Sequence, residues 1–441
     1  MTRWLIALLL ITASPTLATP LEYVQKNAVP ITSFALGSSL TDLEPLAGVV
    51  GEARIVAMGE ATHGTAEFTQ LRARMLEYLV RRKGFTVFAL ETSMAGARDL
   101  NAYVQGGAGD ARALLTRYAR LAWPWRTTQM LGVLEWMRSY NASTSSKLRF
   151  TGIDLQDPVS AVDWVTGYLE AHAPTEVSRT EDLLRCIRFS LSNTLGVARY
   201  TARGLDGSRL CAVNIRTVRQ ILENRRAALI AQSNDLEYRE VLHATELLIQ
   251  ENTYLEARLL RVDADANALR DRFMADNIAW LEATYKQKIV VWAHNGHVTF
   301  TPDMTFGWKP FGAALRERYG LGYVAVASSF ALGSFNAQLV GSDLVRSLTA
   351  AALGLTVNPS EQRLPAPVSD SLEQIFNSSG LGTFLLPLRV PRTFYIVPQA
   401  LPSFETPTPD WYSHRATLPL EFDAVVFTQR STPTVLLPAG Y

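Results

Sequence analysis

The chain has 441 residues, with 42 lysines and arginines against 41 aspartates and glutamates, for a formal charge of +1. That balance offers no electrostatic footing for nucleic acid or an anionic membrane surface, and an apolar content of 48% is ample for a packed interior. There is no basic run, low-complexity tract or internal repeat, and the length exceeds one ordinary core, so one large domain with an insertion, or two domains, is expected.

The first residues read as an export signal. Met1-Thr2-Arg3 is a short positive region, Trp4 to Ile11 is apolar, and Thr16-Leu17-Ala18 presents small residues for cleavage. The apolar run is short of the roughly 20 residues that span a bilayer. A signal peptide over 1–18 and a periplasmic or secreted mature chain from about Thr19 are expected, with a membrane anchor formed by the same segment as the alternative. No later stretch is long and apolar enough to span.

Five segments rich in β-branched and aromatic residues then read as strands: Arg54 to Met58, Phe85 to Leu90, Leu148 to Ile153, Lys288 to Ala293 and Gly322 to Ala327. Phe422 to Phe427 adds a last one. They are continuous apolar runs rather than alternating ones, as in strands covered by helices on both faces. Alternation with helical patterns predicts a three-layer α/β/α fold with a mostly parallel central sheet. From about 159 to 287 the pattern becomes helical throughout, which predicts a helical insertion within the α/β domain of 19–441. It holds both cysteines, Cys186 and Cys211, which an exported chain either pairs or buries as thiols. Pro- and Ser-rich stretches at 359–370 and 398–409 read as loops, at the mouth of a site or merely on the surface.

In an open parallel sheet, ligands bind beyond the carboxyl ends of the strands. Here those ends run into Gly59-Glu60-Ala61-Thr62-His63-Gly64, Glu91, Asp154 and His294-Asn295-Gly296-His297. A lone strand-end carboxylate is usually structural, but four such ends in one sheet suggest a site. Arg72 falls within the apolar stripe Phe68, Leu71, Met75, Leu76 and Leu79 of the helix after His63. A buried arginine needs a partner, for which Glu60 and Glu91 are placed by topology; otherwise the side chain snorkels to the surface. The chain has no G-x-S-x-G elbow, no H-E-x-x-H or other zinc pattern, no Walker A loop and no G-x-G-x-x-G turn after a strand. Histidines, carboxylates and an arginine without an evident nucleophile suit attack by water under general-base catalysis.

Several of these segments resemble the motifs of the erythromycin esterase family. Gly59-Glu60-x-x-His63-Gly64 followed by Glu67 and Arg72 is similar to its first motif, Gly84-Phe85 through Glu91 to its second, and Trp292-Ala293-His294-Asn295-Gly296-His297 to its third. Trp136 to Asn141, Gly152 to Asp154, Arg270 to Asn277 and Phe422 to Ala424 carry lesser similarities in the same order. The resemblance implies an α/β/α core with helical elaboration and metal-independent hydrolysis of a macrolide lactone, with no cofactor. It also implies His63 as general base, with Glu60, Glu91, Arg72, His294 and His297 as its active-site company. Asp154 and Asn295 are expected as supporting or substrate-binding residues. The family includes members named for exopolysaccharide biosynthesis.

The expected reaction is therefore hydrolysis of a small ester or lactone. His63 deprotonates water, Glu60 or Glu91 orients its imidazole, and one or both of His294 and His297, with Arg72, meet the oxyanion. A metallohydrolase with His63, His294, His297 and a glutamate around zinc or manganese is one alternative. A periplasmic binding protein for a ligand such as haem, without turnover, is another.

Overall fold

Strands form where the sequence gathers β-branched and aromatic residues. A computed structural model describes residues 19–118, 123–189, 194–260, 263–301, 307–337, 359–363, 365–388, 397–402, 411–416 and 418–438. In chain order the strands are β1 (Val29–Pro30), β2 (Ile55–Glu60), β3 (Phe85–Ser93), β4 (Arg149–Asp154), β5 (Lys288–His294) and β6 (Tyr323–Ala337), then β7 (Ser360–Arg363), β8 (Phe384–Pro387), β9 (Val397–Pro402), β10 (Trp411–Ala416) and β11 (Ala424–Ser431). Among the described residues, nine of them make one sheet. Its centre is parallel, in the order β11-β6-β2-β5-β3-β4. β8 joins β11 antiparallel, β1 joins β8, β7 pairs antiparallel with the far end of β6, and β9 with β10 forms a separate hairpin.

The continuous apolar runs are explained by burial on both sides. Every residue of β2 is buried, and successive side chains point to opposite faces. Ile55 and Ala57, with Ile289 and Val291 of β5, pack on Val162, Leu169, Leu247, Met274 and Ile278. Val56 and Met58, with Val290 and Trp292, face Leu71, Met75 and Leu79 on the opposite side. The result is the expected three-layer α/β/α arrangement. The edge pieces β1, β7 and β8 are two to four residues long and escaped the sequence reading, as did the hairpin. The stretches read as loops at 359–370 and 398–409 contain β7 and part of β9, with 403–410 outside the described residues.

Between β4 and β5 the described chain is helical, from Pro158–His172 through Thr194–Asn224 and Asp235–Leu259 to Asp263–Tyr285. Cys186 and Cys211 are joined in a disulfide with Cα atoms 5.6 Å apart, which decides between a pair and two thiols. The expected leader, residues 1–18, lies outside the described residues. Thr19 opens the first helix (Pro20–Asn27) through a capping box with Glu22. No helix among the described residues is long and apolar enough to cross a membrane.

Candidate active site

The parallel sheet delivers its polar strand ends to one edge. Glu60 is the last residue of β2, and His63 follows in the turn before the helix Ala66–Lys83. Glu60 is 1% exposed and divides its carboxylate between two partners. Oε1 lies 2.5 Å from His63 Nδ1, and Oε2 accepts from Arg72 Nη2. Arg72 is buried as its place in the apolar stripe required. Its Nε donates to the Phe68 carbonyl at 3.3 Å and its guanidinium stacks over Trp292. It grips Glu60 through one nitrogen rather than bidentately, and Nη1 has no hydrogen-bond partner among the described residues.

Glu91 occurs where the β3–β4 register shifts, between Leu90 and Ser93. Its Oε2 accepts the backbone N–H of His294 at 2.9 Å, and its Oε1 faces Arg270 Nη2 at 2.9 Å and His297 Nε2 at 3.3 Å. Asp154, at the end of β4, takes Arg270 Nε and Nη2 on a single oxygen at 3.0 and 2.6 Å. Arg270 and Asp271 both come from the helix Asp263–Tyr285. Asp271 holds His297 Nδ1 at 2.9 and 3.0 Å and is itself fixed by Trp308 Nε1 and the Phe311 N–H, each at 2.9 Å. Neither residue was singled out in the sequence, although both open the segment Arg270 to Asn277. Trp125 was also missed. Its indole donates to the Glu91 carbonyl at 3.0 Å and turns an edge to His63, ring centres 6.0 Å apart.

The two histidines after β5 have different tasks. His294 Nε2 lies 3.0 Å from the Ala61 carbonyl, which only accepts, and Nδ1 takes the Gly296 N–H at 3.2 Å. Those bonds fix a neutral tautomer. Burial, with His63 and His297 nearby, pushes its pKa down to about 4. Burial also acts against His297, but Asp271 and Glu91 outweigh it and lift its pKa to about 10, so it is an imidazolium at neutral pH. For His63, burial favours the neutral ring and is outweighed by the charge and hydrogen bond of Glu60, aided by Glu91; its pKa rises above 6.5. A quarter of the His63 side chain (26%) is still exposed, so the ring is open to the solvent side. Glu91 loses stability as an ion through burial, yet His297 and Arg270 hold it well below the ordinary carboxylate range.

Asn295 works behind the site. Its side chain bonds both the carbonyl and the N–H of Ser328, at 2.8 and 3.2 Å, tying the turn after β5 to β6. The fit explains Gly59, where an added Cβ would sit 2.2 Å from Asn295 Oδ1. Among the described residues, no three His, Cys, Asp or Glu side chains are grouped to hold a metal ion. The metal set expected as an alternative is not presented, since His294 engages both ring nitrogens with backbone and His297 lies between two carboxylates.

The geometry therefore offers a histidine backed by a buried carboxylate and, across the same edge, a fixed cation. The sequence profile described as "Erythromycin esterase" matches residues 80–431. The chain belongs to the erythromycin esterase family. It is 25% identical over 327 residues to the erythromycin esterase type II of Escherichia coli, covering 69% of this chain and 75% of that one. It is 27% identical over 305 residues to the type I enzyme of the same organism, covering 65% and 72%. A crystal structure of a Bacillus cereus protein superposes with a TM-score of 0.80 at 26% identity, over 94% of this chain and 98% of that one. As a member of the erythromycin esterase family the chain is an esterase, which removes the alternative of a binding protein without turnover.

Proposed function

We propose that this esterase hydrolyses a neutral ester or lactone, with macrolide rings as the first class to try, through water activated by His63. The observation that carries the reading is the division of Glu60 between His63 and Arg72. A carboxylate accepts, so the proton of neutral His63 sits on Nδ1 and the lone pair on Nε2 faces the reaction. Around it, the carboxylates of Glu60, Glu91, Asp154 and Asp271 are matched by the guanidiniums of Arg72 and Arg270 and by the His297 imidazolium. His63 becomes the fourth cation when it takes a proton, so the network reaches charge balance at the moment of general-base catalysis.

In this mechanism His63 Nε2 removes a proton from water as the oxygen attacks the acyl carbon. The carbonyl oxygen becomes an oxyanion, for which His297 is the permanent cation at hand. The ester C–O bond then breaks and the leaving alkoxide takes the proton back from His63, giving an acid and an alcohol. Both cysteines are in the disulfide, so no thiol competes as nucleophile. The macrolide reading rests on the names of the E. coli relatives. Export to the periplasm or medium is supported by the leader-like first 18 residues and by the disulfide, which persists in oxidising compartments.

Hydrolysis of an ester and lactone panel in ¹⁸O-water tests the chemistry. One label should enter the acid and none the alcohol, and His63→Ala should lower kcat by at least about 10²-fold. Turnover lost to a chelator and restored by a divalent ion would overturn the water–histidine mechanism. N-terminal sequencing of protein from its native host should begin near Thr19; an intact Met1 on cytoplasmic protein refutes export.

A further inference from the structure

The turn that carries His63 is not held by its own helix. Thr65, in the N-cap position of Ala66–Lys83, makes no side-chain cap. The Ala66 N–H instead donates to the Thr432 carbonyl at 2.9 Å, and Thr432 returns its N–H and hydroxyl to the Glu67 carboxylate at 2.7 and 2.6 Å. Gly64, directly after His63, has its carbonyl between two N–H donors, Thr434 at 2.8 Å and Asn336 at 3.1 Å. The Asn336 amide donates to Thr434 twice, at 2.7 and 3.1 Å, which locks the two donors together. A Cβ on residue 64 would fall 1.9 Å from the Asn336 carbonyl, so only glycine admits this approach.

The same few residues run on to the other wall. Val435 accepts the Thr128 N–H at 2.9 Å and its own N–H meets Gln129 Oε1 at 3.2 Å. Leu437, only 1% exposed, donates to the carbonyl of Arg126, the neighbour of Trp125, at 2.9 Å. Bonds from one short segment thus land on the residue after His63 and on the residue after Trp125, whose rings meet edge to face. The segment lies past residue 431, where the family match ends.

We propose that residues 432–437 form a strap that positions His63 for catalysis, with Asn336 and Thr434 as its positioning residues and Trp125 as the wall it sets against the ring. The proposal rests on His63 as the base. Without the strap the Gly64 carbonyl loses its shorter donor, the Thr434 N–H, and the Asn336 N–H loses the residue its side chain is locked to, so the turn relaxes and His63 Nδ1 drifts from Glu60. The reacting lone pair then loses its aim as well as its electrostatic support, a loss that falls on kcat rather than on binding.

The imidazole of His63, followed by NMR titration and identified by its absence in His63→Gln, gives a readout independent of turnover. In Asn336→Ala its midpoint should drop toward the ordinary value of about 6.5. In the same variant kcat should fall at least about tenfold with KM changed less than about threefold. A chain ending at Ser431 should show a larger loss, partly restored by adding the peptide 432–441. An unchanged His63 titration in folded Asn336→Ala overturns the strap, whether or not the truncated chain folds. Full activity in His63→Gln would instead remove the base, leaving the titration to report on the strap separately.

Discussion

Asp271 reaches His297 Nδ1 with both carboxylate oxygens, at 2.9 and 3.0 Å, while Glu91 stands 3.3 Å from the opposite ring nitrogen. A histidine so flanked stays charged across the whole neutral range. Asp271→Asn removes the stronger of the two supports. Activity that needs the cation is present below the His297 pKa of about 10 and lost above it. In the variant the alkaline limb of the kcat profile should move well below its wild-type position, with kcat at neutral pH lower by about tenfold or more. An unmoved limb assigns it to another group.

In the proposed mechanism His63 sets the acid limb. Its pKa is raised, so the neutral, proton-accepting form accumulates only above the ordinary 6.5, and activity should rise with pH through a midpoint above that value. Glu60→Gln takes away the charge that opposes burial and turns the charge-assisted hydrogen bond to Nδ1 into a weaker neutral one. The limb should then shift below 6.5, and kcat should fall by about 10²-fold as the ring loses its orientation. A limb that stays in place would show that Glu60 does not govern the titration.

Arg72→Lys keeps the charge near Glu60 but removes the Nε bond to Phe68 and the flat face over Trp292. We expect about a tenfold loss in kcat and a stability loss of about 1–3 kcal/mol, measured by denaturant unfolding. Wild-type values for both would mean that a point charge is all Glu60 requires.

Glu251 lies buried on the helix Asp235–Leu259, and neither carboxyl oxygen has a hydrogen-bond partner among the described residues. Burial, with Asp154 and Asp157 nearby, raises its pKa well above 4.5 against the pull of Arg270. A raised acid contributes stability below the unfolded pKa and loses it as pH climbs through the folded one. Glu251→Gln cannot ionise, so at pH 8 its Tm should exceed wild type by about 2 °C or more, with no difference at pH 4. Equal Tm values at pH 8 would show that the folded protein already accommodates the ion.

The strand ends were legible because a parallel sheet fixes where its last side chains go. Glu60, Glu91, Asp154 and His294 could be read from the residue at which each apolar run stops, and Arg72 from helical spacing alone. What the sequence could not provide was the division of labour. Glu60 and Glu91 are equivalent in pattern, and only the distances assign one to His63 and the other to Arg270 and His297. His294 and His297 differ in what their rings meet, backbone groups for the first and two carboxylates for the second. Arg270 and Asp271 sit on a long helix well before β5 in the sequence, among other charged residues, so periodicity does not mark them as inward. The strap is harder still, because its bonds to Gly64, Ala66 and Arg126 join backbone atoms, which carry no side-chain signature.

The order of strands also bears on how the protein is made. β2 and β3 are never neighbours; β5 lies between them, and it is synthesised only after the whole helical run that follows β4. Until about residue 294 has emerged, each of the first two central strands has an unfilled edge toward the other, and contacts of such long sequence separation form slowly. A nascent chain therefore exposes two apolar strand edges from about residue 93 until about residue 294, a template for association with other chains. Association of nascent chains should be strongest for those stalled between β4 and β5.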